Sequence, residues 1–97
     1  MKWKLLFSDE ATFFLQGLEK DKSKKSVLKQ TRKILGFMET NLRHPSLHTH
    51  KFTDIECALG DVFESYIQNR SPGAHRIFWA YGPKKGELYI LSISPHP

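Results

Sequence analysis

The stretch at residues 75–94 reads HRIFWAYGPKKGELYILSIS. Two runs rich in aromatic and β-branched residues, 75–81 and 87–94, flank the segment Gly82-Pro83-Lys84-Lys85-Gly86. Such runs on either side of a glycine- and proline-containing turn are typical of two strands joined by a loop. The stretch therefore predicts a β-hairpin, and the rest of the fold is interpreted outward from it.

The segments before the hairpin also favour strands. Residues 62–68 form a further candidate strand, and Ser71-Pro72-Gly73 gives a turn signal within 69–74. Residues 41–49 contain Pro45 and two histidines, and a third histidine follows at position 50, which indicates a loop that leads into a short strand around Lys51 and Phe52. The second half of the chain is thus predicted to be mainly antiparallel sheet.

The first half has the period of helices. Ser8 is a good N-cap for a helix over residues 9–20, because Asp9 and Glu10 then lie in its positive first turn. A second helix is expected to open at Ser23 or Ser26 and to run to about residue 41. The apolar positions that recur at helical spacing are Ala11, Phe14, Leu15 and Leu18 in the first helix and Val27, Leu28, Thr31, Ile34, Leu35, Met38 and Leu42 in the second.

Residues 3–7 are short, apolar and aromatic, which predicts a buried strand ahead of the helices. The fold class is therefore α+β: an N-terminal strand and two antiparallel helices on one face of a mostly antiparallel sheet of four or five strands. With 97 residues the chain can hold one core, so residues 1–97 are interpreted as a single domain without a separate cofactor domain.

Composition narrows the function classes. No apolar run approaches the roughly 20 residues of a membrane span, and the N-terminal run stops at Ser8, too early for a secretory signal. The single cysteine, Cys57, cannot form an internal disulfide, and we interpret it as a small core residue. We expect a cytoplasmic protein.

The charge is concentrated in one segment. The net charge is +5, yet residues 20–33 alone hold seven basic side chains against Asp21. The basic side chains that we expect to form a solvent-facing surface along the second helix and just before it are Lys22, Lys25, Lys29, Arg32 and Lys33. Such a face suits a polyanion, nucleic acid above all, although a solvated helix face explains it equally well.

Arg76 and His96 are the candidates for chemistry in the strand half. Arg76 begins an otherwise apolar strand, so its guanidinium must face solvent, a carboxylate or a bound anion. Alternation places Phe78 on the same face, which offers an aromatic stacking surface beside a phosphate anchor. His96 follows the last predicted strand and is of the residue type best suited to proton transfer near pH 7.

His44, His48 and His50 have the spacing H-x3-H-x-H. A zinc site would need a fourth ligand, and Cys57 is not at a standard distance. A polar loop, or one imidazole acting as a base in a nucleic-acid cleft, fits the pattern better. No metal and no cofactor is expected.

Several of these segments together resemble the RelE/ParE superfamily of bacterial type II toxins, most closely the YoeB-type ribonucleases. The segments that carry the resemblance are Lys51-Phe52, residues 62–66, residues 72–79, residues 88–93 and His96. The most specific of them is the His-Arg-aliphatic-aromatic strand, followed by a hairpin and a histidine. Length, basic charge and element order agree over nearly the whole chain.

The resemblance implies a ribosome-dependent mRNA endoribonuclease that needs no metal and is held inactive by a cognate antitoxin. In this family the 2′-hydroxyl attacks the neighbouring phosphate. The resemblance gives Arg76 the role of stabilising the phosphate and His96 that of general acid. The base of the YoeB type aligns near His50, so either His50 takes that role, or Glu64 on the adjacent strand does, or the base is missing. The basic helix, with Lys51, would contact RNA.

Two alternatives remain open at the level of sequence. One is a ParE-like inhibitor that binds DNA gyrase and cleaves nothing. The other is a catalytically decayed homologue that only binds nucleic acid or a partner. The oligomeric state is not predicted.

Overall fold

The computed structural model describes residues 2–67 and 74–95. They form five strands, two α-helices and two short 3-10 helices. The strands and α-helices are β1 (Lys4–Phe7), α1 (Asp9–Lys20), α2 (Lys25–Thr40), β2 (His50–Lys51), β3 (Phe63–Tyr66), β4 (His75–Tyr81) and β5 (Glu87–Pro95). The 3-10 helices are Lys22–Lys24 and Pro45–Leu47. No described helix has the length and apolar character that crossing a membrane requires.

The five strands form one sheet in the order β1-β5-β4-β3-β2. The N-terminal strand joins it as predicted: β1 runs parallel to β5, and the other neighbouring pairs are antiparallel. The predicted α+β class is thereby confirmed. The turn expected at 69–74 lies, apart from Ala74, outside the described residues.

The decisive hairpin forms where the sequence predicts it. Its strands pair with Ile77 opposite Ile93, and an irregularity between Phe78 and Trp79 shifts the register. Gly82 and Gly86 have φ of 111° and 82°, a backbone region open to glycine and strained for other residues. The turn glycines therefore allow the chain to reverse between β4 and β5.

The first helix begins as expected and the second does not. Ser8 caps α1 by accepting a hydrogen bond from the N–H of Ala11 at 3.0 Å. Neither predicted serine caps α2, because the turn before it forms as a 3-10 helix capped by the carboxylate of Asp21. Asp21 accepts from the hydroxyl of Ser23 at 2.6 Å and from its N–H at 2.9 Å, and these bonds lower the pKa of Asp21.

The core lies between the helices and one face of the sheet. Its buried members come from both layers: Ala11, Ile34, Met38, Leu47, Ile67, Ile77, Trp79, Leu88, Ile90 and Ile93. Ile77 and Trp79 belong to this core, so the sheet face that carries them is the inner one. Along a strand, side chains alternate between the two faces of the sheet. Residues 76 and 78 therefore belong to the opposite face, which we call the outer face.

Candidate functional site

The register of β3 and β4 brings four side chains together on the outer face. Glu64 pairs with Phe78, and Tyr66 pairs with Arg76. Residues directly opposite each other in an antiparallel pair point to the same side of the sheet. The structure thus gives Glu64 the same orientation as Arg76, which the sequence alone does not specify.

The side chains of His50 and Glu64 are in contact at the edge of this face. They are paired residues of β2 and β3, and Nε2 of His50 lies 2.7 Å from Oε1 of Glu64. The Glu64 side chain is fully buried, whereas 47% of the His50 side chain is exposed. Of the two candidates for a base, only His50 is accessible to a substrate.

The second nitrogen of His50 also faces an oxygen. Nδ1 lies 3.1 Å from the backbone carbonyl of His48. A doubly protonated ring donates to both oxygens, and a neutral ring donates to one of them. The contact with Glu64 therefore fixes the orientation of the ring, and the longer contact to His48 is the one that a substrate can replace.

Tyr66 holds Arg76 in place. The guanidinium carbon lies 3.8 Å from the centroid of the Tyr66 ring, and Nη1 donates to the carbonyl of His75 at 3.3 Å. His50 approaches the same ring edge-on, with centroids 5.7 Å apart. Arginine stacked on an aromatic ring loses little freedom and stays able to bind a phosphate. Tyr66 thereby links the cation to the imidazole–carboxylate pair.

Phe78 lies on the outer face but is only 1% exposed. Phe52 covers it, with ring centroids 4.9 Å apart. This burial corrects the expectation of an exposed stacking surface, because the segment between β2 and β3 folds over the ring. Cys57 belongs to that segment and is partly buried, so it is not the core residue that we expected.

Beneath the site, a chain of hydrogen bonds fixes the position of β3. The indole N–H of Trp79 donates to the hydroxyl of Ser65 at 2.9 Å, and the hydroxyl of Thr49 lies 2.8 Å from the same oxygen. Ser65 and Trp79 are both buried. Buried polar atoms that are satisfied in this way hold neighbouring strands in one register.

The three histidines of the H-x3-H-x-H pattern diverge. His44 stacks on Phe37 with centroids 3.8 Å apart and accepts from the N–H of Ser46 through Nδ1. His48 has a left-handed backbone with φ of 46° and packs against Tyr66, while His50 turns to Glu64. Within residues 2–67 and 74–95, no group of three or more His, Cys, Asp or Glu side chains is arranged to hold a metal ion.

The predicted basic residues lie along α2 and the short 3-10 helix before it. All of them are exposed: Lys22, Lys25, Lys29, Arg32 and Lys33. Arg32 is 3.9 Å from Glu19, an exposed contact of little energetic value. Lys51 is exposed on β2 and lies 3.4 Å from Asp61. These cations are therefore available to a polyanion.

The second half of the chain also contains His75 and His96. His96, the predicted acid, lies outside the described residues. His75 packs against Phe14 on the inner side, with centroids 5.4 Å apart, and burial, followed by the nearby charge of Lys24, lowers its pKa from the usual 6.5. Its Nδ1 is buried and makes no hydrogen bond with the described residues. His75 is thus suited to packing as a neutral ring.

Tyr66 is the site residue that sequence reasoning missed. It was treated only as part of a strand, although it lies two residues after Glu64 and hence on the same face. The signal that would have found it is the pairing of β3 with β4, which sets Tyr66 opposite Arg76.

Solved structures of other proteins share this architecture. A RelE–RelB complex from the archaeon Pyrococcus horikoshii matches with a TM-score of 0.69 and 14% identity, over 98% of this chain and 96% of that one. The chain has the RelE-like fold. A YoeB dimer from Staphylococcus aureus matches with a TM-score of 0.66 and 16% identity, over the full length of both chains.

A third protein with the RelE-like fold is a YoeB/ParE toxin from Agrobacterium tumefaciens, with a TM-score of 0.65 and 9% identity, over 97% of this chain and 99% of that one. The sequence itself matches no known protein family and no curated protein. The RelE-like fold is therefore shared in three dimensions while most side chains differ.

Proposed function

We propose that the chain is the toxin of a type II toxin-antitoxin system and that it cleaves mRNA on the ribosome, in the cytoplasm. The RelE-like fold, which spans nearly the whole chain, supports the toxin role. The ribonuclease role is supported by one observation above all: Arg76 and the His50–Glu64 pair lie on the same face, joined through Tyr66.

The proposed reaction is an internal displacement at phosphorus. The 2′-hydroxyl oxygen forms a bond to the adjacent phosphorus, and the bond from phosphorus to the 5′-oxygen breaks. The products are a 2′,3′-cyclic phosphate and a free 5′-hydroxyl. The reaction needs a base for the 2′-hydroxyl proton, a cation at the phosphate and an acid for the 5′-oxygen.

The residues divide these roles as follows. The Arg76 guanidinium binds the phosphate oxygens, and Tyr66 keeps it oriented. His50 donates Nε2–H to Glu64, which leaves the lone pair of Nδ1 to accept the 2′-hydroxyl proton in place of the contact with the His48 carbonyl. The family resemblance assigns the acid to His96. No step requires a metal ion.

The basic surface of α2 is proposed to dock on ribosomal RNA. Each phosphate that a lysine or arginine contacts makes binding fall more steeply with salt. This surface lies on the side of α2 that faces away from the core, so docking and phosphate chemistry use different parts of the molecule.

The proposed protein partner is a cognate antitoxin. Solved structures with the same fold include complexes with RelB and with YefM. A partly disordered acidic segment would complement the basic surface and mask the charges that RNA needs.

The proposal is tested by producing the chain without a partner and following growth, protein synthesis and the ends of cellular mRNA. We expect prompt arrest of translation and cut mRNA. Arg76→Ala should abolish both while leaving the fold intact, and Arg43→Ala removes an exposed arginine elsewhere as a matched control. Full toxicity of Arg76→Ala would disprove the catalytic assignment.

The same experiment addresses a second candidate function. A YoeB/ParE toxin has the same fold, so the second candidate function is that of a ParE-like inhibitor of DNA gyrase. Gyrase inhibition would give filamentous cells and DNA damage with uncut mRNA. A decayed homologue would give neither response.

A further inference from the structure

The strand that carries His50 is short and lies at the edge of the sheet. It consists of His50 and Lys51, both exposed, and β2 is the last strand in the sheet order. Its ladder with β3 covers two residue pairs. Strands in globular proteins usually have about 5–6 residues, so a ladder of this length does little to fix the strand. Side chains next to β2 therefore have to contribute to the position of His50.

The side chain of Thr49 joins this strand to the centre of the sheet. Its hydroxyl oxygen lies 2.8 Å from that of Ser65, which accepts from the indole N–H of Trp79 at 2.9 Å. Thr49 is exposed, whereas Ser65 and Trp79 are buried. A buried group that is already hydrogen-bonded has little freedom to move. Ser65 is thus a fixed point on β3 to which Thr49 is attached.

Thr49 and His50 are consecutive residues that contact consecutive partners. The hydroxyls of Thr49 and Ser65 are 2.8 Å apart, and His50 lies 2.7 Å from Glu64. Consecutive side chains along a strand point to opposite faces of the sheet. The two contacts therefore hold the segment from both faces, and moving Thr49 away from β3 also moves His50 away from Glu64.

The two oxygens that face the His50 ring are carried by different parts of the chain. Glu64 belongs to β3, so its contact with Nε2 spans two strands. The carbonyl of His48, 3.1 Å from Nδ1, belongs to the same segment as His50 and moves with it. A neutral imidazole has one N–H and donates to one of the two. A segment docked on β3 favours donation to Glu64, whereas an undocked segment favours donation to His48, which removes the lone pair of Nδ1.

We propose that Thr49 is a positioning residue that binds Ser65 and thereby holds the His50 ring in the Nε2–H tautomer, with Nδ1 able to act as the base. The hydrogen bond that one ring nitrogen makes sets the protonation of the other. The inference rests on the proposed function for the role of His50. It requires no contact between Thr49 and the substrate.

The first test observes the tautomer without catalysis. The whole chain is produced with isotope-labelled histidine, and the ring nitrogens of His50 are observed by NMR at about pH 8.5, two units above the usual pKa of histidine. Protonated and unprotonated ring nitrogens have well-separated chemical shifts. We expect Nε2 to be protonated in the wild type and to move toward the unprotonated shift in Thr49→Val, with Nδ1 moving the opposite way. Unchanged His50 shifts in Thr49→Val would overturn the inference.

Matched variants separate the hydroxyl from general effects of substitution. Valine has nearly the shape of threonine and favours strands, so Thr49→Val should fold with an unchanged circular dichroism spectrum. Thr49→Ala removes the same hydroxyl with a smaller side chain and should shift His50 in the same direction. Thr49→Ser keeps a hydroxyl and should retain the wild-type shifts.

Thr53→Val is the control for position. It makes the same chemical change at an exposed residue on the other side of β2 and should leave the His50 shifts as in the wild type. If Thr49→Val and Thr53→Val give equal His50 shifts, the hydroxyl of Thr49 does not hold the ring.

The second test uses cleavage of mRNA on purified ribosomes. Thr49→Val should lower kcat at least about tenfold with little change in KM, because a misplaced base affects the chemical step and not docking. Thr49→Ser should restore most of the rate. A wild-type kcat in Thr49→Val would refute the positioning role while leaving the ribonuclease proposal intact. A wild type that cuts no RNA would refute the ribonuclease proposal instead, and the His50 shifts would still decide the role of Thr49.

Discussion

The contact between His50 and Glu64 can be tested through stability. His50→Ala removes the imidazole that lies 2.7 Å from the fully buried carboxylate of Glu64. A hydrogen bond to a charged group contributes about 1.5–3 kcal/mol. For a chain of this size each kcal/mol lowers Tm by about 4–8 °C, so we expect a decrease of about 6–24 °C.

The assay is a double-mutant cycle at neutral pH. Urea unfolding is followed by tryptophan fluorescence in the wild type, His50→Ala, Glu64→Gln and the double variant. Because glutamine removes the buried charge, His50→Ala should cost less than about 1 kcal/mol in the Glu64→Gln background. Lys51→Ala is the control. It removes the exposed contact between Lys51, which follows His50 on β2, and Asp61, and it should cost less than about 1 kcal/mol. An equal cost of His50→Ala in both backgrounds would refute the coupling.

Three further outcomes are expected. Ser65→Ala should lower the free energy of unfolding by about 1–3 kcal/mol in urea titrations, because the buried indole N–H of Trp79 loses its acceptor. His75 binds a proton less readily folded than unfolded, so stability should fall as pH drops below about 6.5, and His75→Phe should flatten that dependence in the same titrations between pH 7.5 and 5. Tyr66→Leu should reduce RNA cleavage at least about tenfold and Tyr66→Phe much less, because the ring orients Arg76; equal activity of the two variants would contradict this role.

Much of the fold follows from local pattern. The hairpin, α1 with its Ser8 cap and the N-terminal strand are specified by alternation, helical spacing and turn residues close together in sequence. The predicted start of α2, at Ser23 or Ser26, was wrong because Asp21, Ser23 and Ser26 can each cap a helix. In the structure Asp21 caps the 3-10 helix before α2, and α2 itself begins after Lys24 without a side-chain cap.

The site was less predictable because it depends on pairing between strands. Alternation places Arg76 and Phe78 on one face, but the register of β3 against β4 decides that Glu64 and Tyr66 join them. Burial of Phe78 depends on where the segment after β2 folds, and no periodic pattern encodes that path. The choice between His50 and Glu64 likewise needed the burial of each side chain.

The parallel pairing of β1 with β5 has a consequence for synthesis. Ser8, at the end of β1, donates to the carbonyl of Leu91, 83 positions later. At about 5–20 residues per second, the synthesis of Leu91 follows that of Ser8 by roughly 4–17 s. Until residue 87 is made, β5 cannot begin to form, and β5 is the strand that pairs with both β1 and β4. A nascent chain interrupted before that point therefore lacks the strand that joins β1 to β4, and its five-stranded sheet stays incomplete.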